Sequence, residues 1–136
     1  MTFEDASQIF YIKREIDKLY KELADLKQQS FVKPINISDM PRGGISKDLL
    51  VEYTNSILET EDMIRYSLMK LQRERKKIEQ FLDTIKDPEL RLIIRLRCVD
   101  NMNWKEIGKE VGCERTTASK KFYKYFKDHN ISHNSH

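Results

Sequence analysis

Apolar residues recur every third or fourth position through two long stretches of the sequence. Such a repeat places apolar side chains on one narrow stripe of a helix, as in a coiled-coil seam. The first stripe consists of Ile9, Ile12, Ile16, Leu19, Leu23 and Leu26. The second consists of Leu50, Tyr53, Ile57, Ile64, Leu68, Leu71, Ile78, Leu82 and Ile85. Two long amphipathic helices are therefore predicted.

The first helix is predicted over residues 3–29, with Thr2 and Asp5 as a capping box, and the second over residues 47–86. Two prolines and two glycines interrupt the pattern between them, which predicts a loop over residues 30–45. A lone helix has nowhere to bury such a stripe. We therefore expect residues 1–86 to form a long antiparallel helical hairpin, coiled-coil-like in its packing.

The dipeptide Asp87-Pro88 predicts a break after the second helix, because Asp caps well and Pro fits the first helical position. Three short helices are predicted to follow, over Pro88–Asp100, Trp104–Val111 and Arg115–Lys127, with Asn103 as the cap of the second. We therefore predict an all-α chain whose hairpin is followed by a helix-turn-helix domain over residues 87–128.

Small residues stand where a helix-turn-helix needs them. Gly108 lets the second short helix cross the third closely, and Gly112 supplies the turn between them. Ala118, Phe122 and either Tyr125 or Phe126 are predicted to form the inner face of the third helix. The outer face of that helix is then free to enter a major groove of DNA.

The third helix carries five basic residues and no acidic residue between positions 115 and 127: Arg115, Lys120, Lys121, Lys124 and Lys127. The residues expected at base edges are Arg115, Thr116, Ser119 and Lys120, because the first turns of a recognition helix go deepest. Thr117 adds a further hydroxyl donor. Lys121 and Lys124 are expected at phosphates, and Trp104 and Lys105 at the DNA backbone.

Other features of the sequence narrow the class of protein. The net charge is only +3, so the local clustering of charge matters more than its sum. Cys98 and Cys113 lack metal-ligand spacing, and we expect reduced thiols packed as small apolar residues. No phosphate-binding glycine loop or paired-carboxylate motif is present, so neither an enzyme nor a cofactor or metal is expected.

The ends of the chain give two further expectations. The N-terminal sequence has acidic residues and no apolar stretch, and no run approaches the ~20 apolar residues of a membrane span. We therefore expect a cytoplasmic protein without a membrane partner. Residues 129–136 are polar and lack periodicity, which predicts a disordered tail.

Residues 91–127 resemble region four of bacterial sigma factors. The matching stretches are Arg91–Arg97 in the first helix, Asn103–Gly108 at the cap of the second, and Thr116–Ala118 in the third. The whole arrangement looks more like small phage and prophage regulators of the ArpU and RinA type, whose Met-Pro-Arg-Gly loop resembles residues 40–43 here. That resemblance implies activation of phage late genes inside a bacterial host.

Three functions remain open from the sequence. The first is a sequence-specific transcription regulator that binds double-stranded DNA as a homo-oligomer, with a dimer favoured. The second is a phage DNA-packaging recognition subunit, which would form a large ring. The third is a protein-binding module that uses the sigma-like domain to contact host RNA polymerase without touching DNA.

Overall fold

The computed structural model describes residues 1–32 and 47–134, with side chains over residues 1–29 and 47–129. Every regular element within these residues is a helix: α1 (Phe3–Ala6), α2 (Gln8–Val32), α3 (Lys47–Leu82), α4 (Pro88–Ile94), a π-helical turn (Arg95–Val99), α5 (Trp104–Val111) and α6 (Arg115–Asn134). The all-α prediction is confirmed. The predicted loop over residues 30–45 is wrong at its start, because residues 30–32 still belong to α2; residues 33–46 lie outside the described residues.

The first predicted helix is split in two at Ser7. The Ser7 hydroxyl donates to the carbonyl of Phe3 at 2.9 Å, and the Ser7 amide is shared between the carbonyls of Phe3 and Glu4. A serine side chain that competes for backbone groups disturbs a helix in this way. The predicted capping box is confirmed, with Thr2 and Asp5 each accepting the other's backbone amide.

The second long helix ends at Leu82, earlier than predicted. Its last turn tightens, because the amides of Thr84 and Ile85 bond to carbonyls only three residues back. Asp87 then caps α4 by accepting the amides of Glu89 and Leu90. The predicted break before Pro88 is therefore confirmed: α3 ends in a tightened turn, and Asp87 caps the new helix α4.

The chain divides into two compact units. The C-terminal unit comprises Met1–Ile12 and Leu71–His136, and the long-helix unit comprises Lys13–Lys70. The predicted boundary between residues 86 and 87 comes after the end of α3, inside the C-terminal unit, whose second segment begins at Leu71. The C-terminal unit thus includes the first turns of the chain and the last turns of α3, besides the segment expected to form the domain.

In the long-helix unit, each long helix buries one face. Ile16 and Leu19 are buried on α2, and Thr60, Ile64 and Ser67 are buried on α3. The sequence pattern had placed Leu50 and Leu68 on the buried stripe of α3, but both are exposed, at 49% and 42%. Two buried positions of α3 hold the small polar residues Thr60 and Ser67, which the apolar stripe predicted from the sequence did not include.

The core of the C-terminal unit joins residues from nearly every element of that unit. Its fully buried large side chains are Ile9, Ile78, Leu82, Ile93, Ile94, Ile107, Phe122 and Phe126. Cys98 lies in the same core, and burial raises the pKa of its thiol to about 12. Cys98 and Cys113 are free thiols, as expected, and Cys98 stays protonated as a small apolar residue.

Helix α6 runs past the predicted end at Lys127 and continues to Asn134. Residues 129–134 are thus helical where the sequence predicted a disordered tail, and residues 135 and 136 lie outside the described residues. No Gly or Pro interrupts this stretch. The His129 ring stacks on Tyr125 with centroids 3.9 Å apart, and its Nδ1 lies 2.9 Å from the Tyr125 carbonyl oxygen.

Candidate nucleic-acid interface

Helix α5 begins where the sequence predicted, at Trp104. The Asn103 side chain accepts the Glu106 amide at 2.9 Å, which satisfies one of the free donors at the helix start. On the inner side of α5, Ile107 and Gly108 are buried. The cap and the buried face together fix how the helix presents its first turn.

The turn between α5 and α6 is tight, and both of its predicted glycines are needed. Gly112 ends α5 with φ +83°, a left-handed conformation that suits glycine. The amides of Gly112 and Cys113 both donate to the Gly108 carbonyl at 2.9 Å. A Cβ at Gly108 would lie 2.7 Å from the Cys113 carbonyl oxygen. The predicted close approach at Gly108 is confirmed.

The inner face of α6 anchors the helix on the core. Ala118, Phe122 and Phe126 are buried, which decides the alternative left open between Tyr125 and Phe126 in favour of Phe126. Tyr125 is only half-buried and lies beside Phe81, with ring centroids 6.1 Å apart. The opposite face of α6 is therefore directed to solvent.

That solvent face holds several of the predicted DNA-contacting residues. Arg115, Thr116, Thr117, Lys120 and Lys124 are all exposed. Residues 115–127 of α6 include no acidic side chain. The face is therefore cationic and rich in hydroxyl groups near its N-terminal end, which is the chemistry that meets base edges and phosphates.

A groove of about 380 Å³ lies between the first turn of α5 and the first turns of α6. It is lined by Asn103, Trp104, Lys105, Arg115, Thr116 and Ser119. Five of the nine predicted site residues are thus brought together in one place. Lys105 and Arg115 give the groove two cationic side chains, while Thr116 and Ser119 add hydroxyl groups. Such a set matches an anionic phosphodiester.

Trp104 has a structural role besides lining the groove. Its ring packs edge-on against Phe122, with centroids 5.3 Å apart. The guanidinium of Arg97 lies over the Trp104 ring, 4.7 Å from the ring centroid. Arg97 also donates to the Met102 carbonyl at 2.9 Å. This stacking ties the start of α5 to the π-helical turn.

Lys121 forms ion pairs with two carboxylates of the same chain. Its ammonium lies 2.8 Å from Asp87 and 3.5 Å from Glu89, at the start of α4. The expected phosphate contact would have to compete with these two carboxylates. These contacts fasten α6 to the N-terminus of α4, so Lys121 is not counted among the cations free to meet DNA.

The Lys121 ammonium also shifts the titration of Asp87. Its hydrogen bond is the main cause that lowers the Asp87 pKa below the ordinary value of 3.8, and the amides of Leu90 and Glu89 add to the effect. A carboxylate with a lowered pKa stabilises the fold above its unfolded-state pKa. That contribution is lost as the pH falls through the folded-state pKa.

We expect Lys121→Gln to move the Asp87 pKa back towards 3.8, because the carboxylate loses its charged hydrogen-bond donor. Carboxyl-carbon NMR titration measures this directly. Lys120→Gln is the matched control, since the exposed neighbouring lysine should leave Asp87 unchanged. An Asp87 titration that is the same in Lys121→Gln and the unaltered protein would contradict the role given to Lys121.

Two contributors to the site were not among the predicted contact residues. Asn103 was predicted only as a cap, although its place at the groove follows from the same position before α5. Arg97 was recognised only as part of the first-helix pattern. Its stacking on Trp104 depends on the π-helical turn, in which the Asp100 amide bonds to the Arg95 carbonyl five residues back. The sequence carries no clear signal of that turn.

Three further findings concern the class of protein. No group of three or more His, Cys, Asp or Glu side chains among the described residues is placed to hold a metal ion. No helix in the described part of the chain is both long and apolar enough to cross a membrane. Comparisons with protein families, with curated proteins and with solved structures find no match to this chain.

Proposed function

We propose that the chain is a sequence-specific transcription regulator that binds double-stranded DNA. In this proposal α5, the Gly112 turn and α6 form a helix-turn-helix, and α6 enters the major groove. In the same proposal, the long helices α2 and α3 pair as an antiparallel hairpin. The resemblance to phage regulators adds the proposed setting, which is late-gene activation in the cytoplasm of a bacterial host, with host RNA polymerase as a further partner.

One observation carries the proposal: the groove at the α5–α6 junction opens beside the acid-free outer face of α6. Lys105 and Arg115 line the groove, while Lys120 and Lys124 are exposed further along α6. The backbone of one DNA strand would lie against the groove, and the exposed first turns of α6 would reach base edges. Arg115 lies where these two surfaces meet.

The tight turn supports the same function through its rigidity. The Cys113 carbonyl oxygen lies close to the position a Gly108 side chain would need, and the Arg115 amide lies 3.1 Å from that position. The start of α6 is therefore fixed directly against α5. Side chains held on rigid elements can discriminate between bases, since a loosely placed donor cannot favour one hydrogen-bonding pattern.

The proposal is tested by selecting bound fragments from the genome that encodes the chain. We expect the unaltered protein to enrich one site, with binding that weakens steeply as salt is added. Arg115→Ala should lose about 1–3 kcal/mol at that site and relax its sequence preference. Lys105→Ala should weaken binding evenly across sequences and reduce the salt slope by about one.

Lys109→Ala is the matched control, because Lys109 is an exposed cation of α5 that does not line the groove. It should bind as the unaltered protein does. Equal binding by the unaltered protein and both interface variants would contradict the DNA assignment. Enrichment of RNA polymerase with no enriched DNA would indicate a protein-binding module instead, and a large ring in solution would indicate a packaging subunit.

A further inference from the structure

The outer face of α3 in the long-helix unit carries large apolar side chains. Val51, Leu58 and Met69 are 56%, 53% and 54% exposed. Their separations of seven and eleven positions are both close to whole numbers of helical turns, so the three lie on one face. The buried residues Thr60, Ile64 and Ser67 occupy the opposite face. Single exposed apolar residues are ordinary, but a line of them indicates an interaction surface.

Charge is unevenly distributed along the same segment. Residues 47–62 contain five acidic residues and one basic residue, whereas residues 63–70 contain two basic residues and no acidic residue. Asp62 and Arg65 lie on the face of Leu58, four and seven positions further along. A second copy running antiparallel would set the acidic part of one helix against the basic part of the other. A parallel copy would align like charges.

We propose that this face binds a second copy of the chain, in an antiparallel arrangement about a twofold axis between Met63 and Ile64. Residues 58 and 69 are equally far from that axis, and so are residues 62 and 65. Leu58 of each copy therefore meets Met69 of the other, and Asp62 of each copy meets Arg65 of the other. Every contact occurs twice, as a twofold interface requires.

The ionic groups are already in place in the single chain. Arg65 Nη1 lies 2.5 Å from Asp62 Oδ1, with the two side chains 66% and 72% exposed. Arg65 also lies 3.8 Å from Glu61. Exposed ion pairs of this kind contribute little stability. In the dimer these charges favour the antiparallel orientation, while Leu58 and Met69 supply the apolar contact.

The test measures the mass of the full chain in solution, without DNA, by analytical ultracentrifugation over a range of concentrations. We expect a dimer for the unaltered protein. Asp62→Arg and Arg65→Asp each replace two attractive contacts by two repulsive ones, so each should raise the dimer dissociation constant at least ~10-fold. An equal mixture of the two variants should form a heterodimer, because every facing pair then becomes opposite in charge.

Met69→Ser and Met63→Ser form a matched pair, because the two methionines are 54% and 55% exposed on the same helix but lie on different faces. Only Met69→Ser should weaken the dimer, and circular dichroism should show unchanged helix content in both. A monomeric unaltered protein, a mixture that fails to associate, or equal effects of the two serine variants would each overturn the proposal. The proposal stands or falls separately from DNA binding, since no DNA is present.

Discussion

Phe122→Ala is expected to destabilise the C-terminal unit by about 3–5 kcal/mol, the usual range for truncating a buried aromatic side chain. Phe122 is 1% exposed. Its ring lies within 4.8–6.2 Å, centroid to centroid, of the rings of Phe126, Trp104 and Phe3. Removing it leaves a cavity that helices from both ends of the sequence would have to fill. Urea unfolding monitored by circular dichroism measures the change.

Tyr123→Ala is the control for this prediction. Tyr123 is the next residue of α6 and is 46% exposed, so its loss should cost far less than that of Phe122. If both variants lost the same stability, α6 would not be anchored through Phe122. A fall in the midpoint urea concentration that appears only for Phe122→Ala agrees with the anchoring of α6 through Phe122.

Gly108→Ala is expected to destabilise the same unit by about 1–3 kcal/mol, the range found when a packed site is overfilled. In an exposed helix the change would favour folding by up to about 1 kcal/mol. The added methyl would lie 2.7 Å from the Cys113 carbonyl oxygen and 3.1 Å from the Arg115 amide. Both atoms belong to the backbone and cannot move away by a side-chain rotation. The steric cost therefore exceeds the gain in helix propensity.

Gly112 offers a contrasting pair of variants at the same turn. Nothing lies within 4 Å of a Cβ at this position, so the cost of Gly112→Ala comes from φ alone and should be about 1–2 kcal/mol. Gly112→Asn should cost less, since Asn tolerates left-handed backbone. A Gly108→Ala variant as stable as the unaltered protein would contradict the close crossing of α5 and α6.

Under the proposed function, Gly108→Ala also has a consequence for binding. The shift that relieves the contact must move the start of α6, and with it Arg115. We therefore expect the folded fraction of this variant to bind DNA more weakly, although it retains every predicted contact residue. Affinity measured at a temperature where circular dichroism shows full folding checks this result.

Local signals in the sequence predicted much of the C-terminal helices. The Asn103 cap, the break before Pro88 and the Gly112 turn depend on a few neighbouring residues, and each lies where the pattern placed it. The grouping of Trp104, Lys105, Arg115, Thr116 and Ser119 follows from the same local geometry. Features set by short-range backbone chemistry were therefore predictable from sequence.

Features set by tertiary contacts were harder to predict. The ion pairs of Lys121 depend on the start of α4, more than thirty positions earlier in the sequence. Ser67 and Thr60 are buried although both are polar, because helical geometry places them on the inner face. The Thr60 hydroxyl donates a hydrogen bond to the Ser56 carbonyl at 2.8 Å. A count of apolar residues alone misses such positions.

The packing of Phe3 against Phe122 and Phe126 affects the order in which the chain can fold. Phe3 and Phe122 are more than a hundred positions apart in the sequence, so Phe3 gains these ring contacts only after the segment that carries Phe122 has been synthesised. Contacts that close so long a stretch of chain form slowly. Until then the aromatic side chains of α1 and α2 are open to chaperones. A fragment that begins at Pro88 would keep Phe122 but would lack Phe3, one of the rings that pack against it.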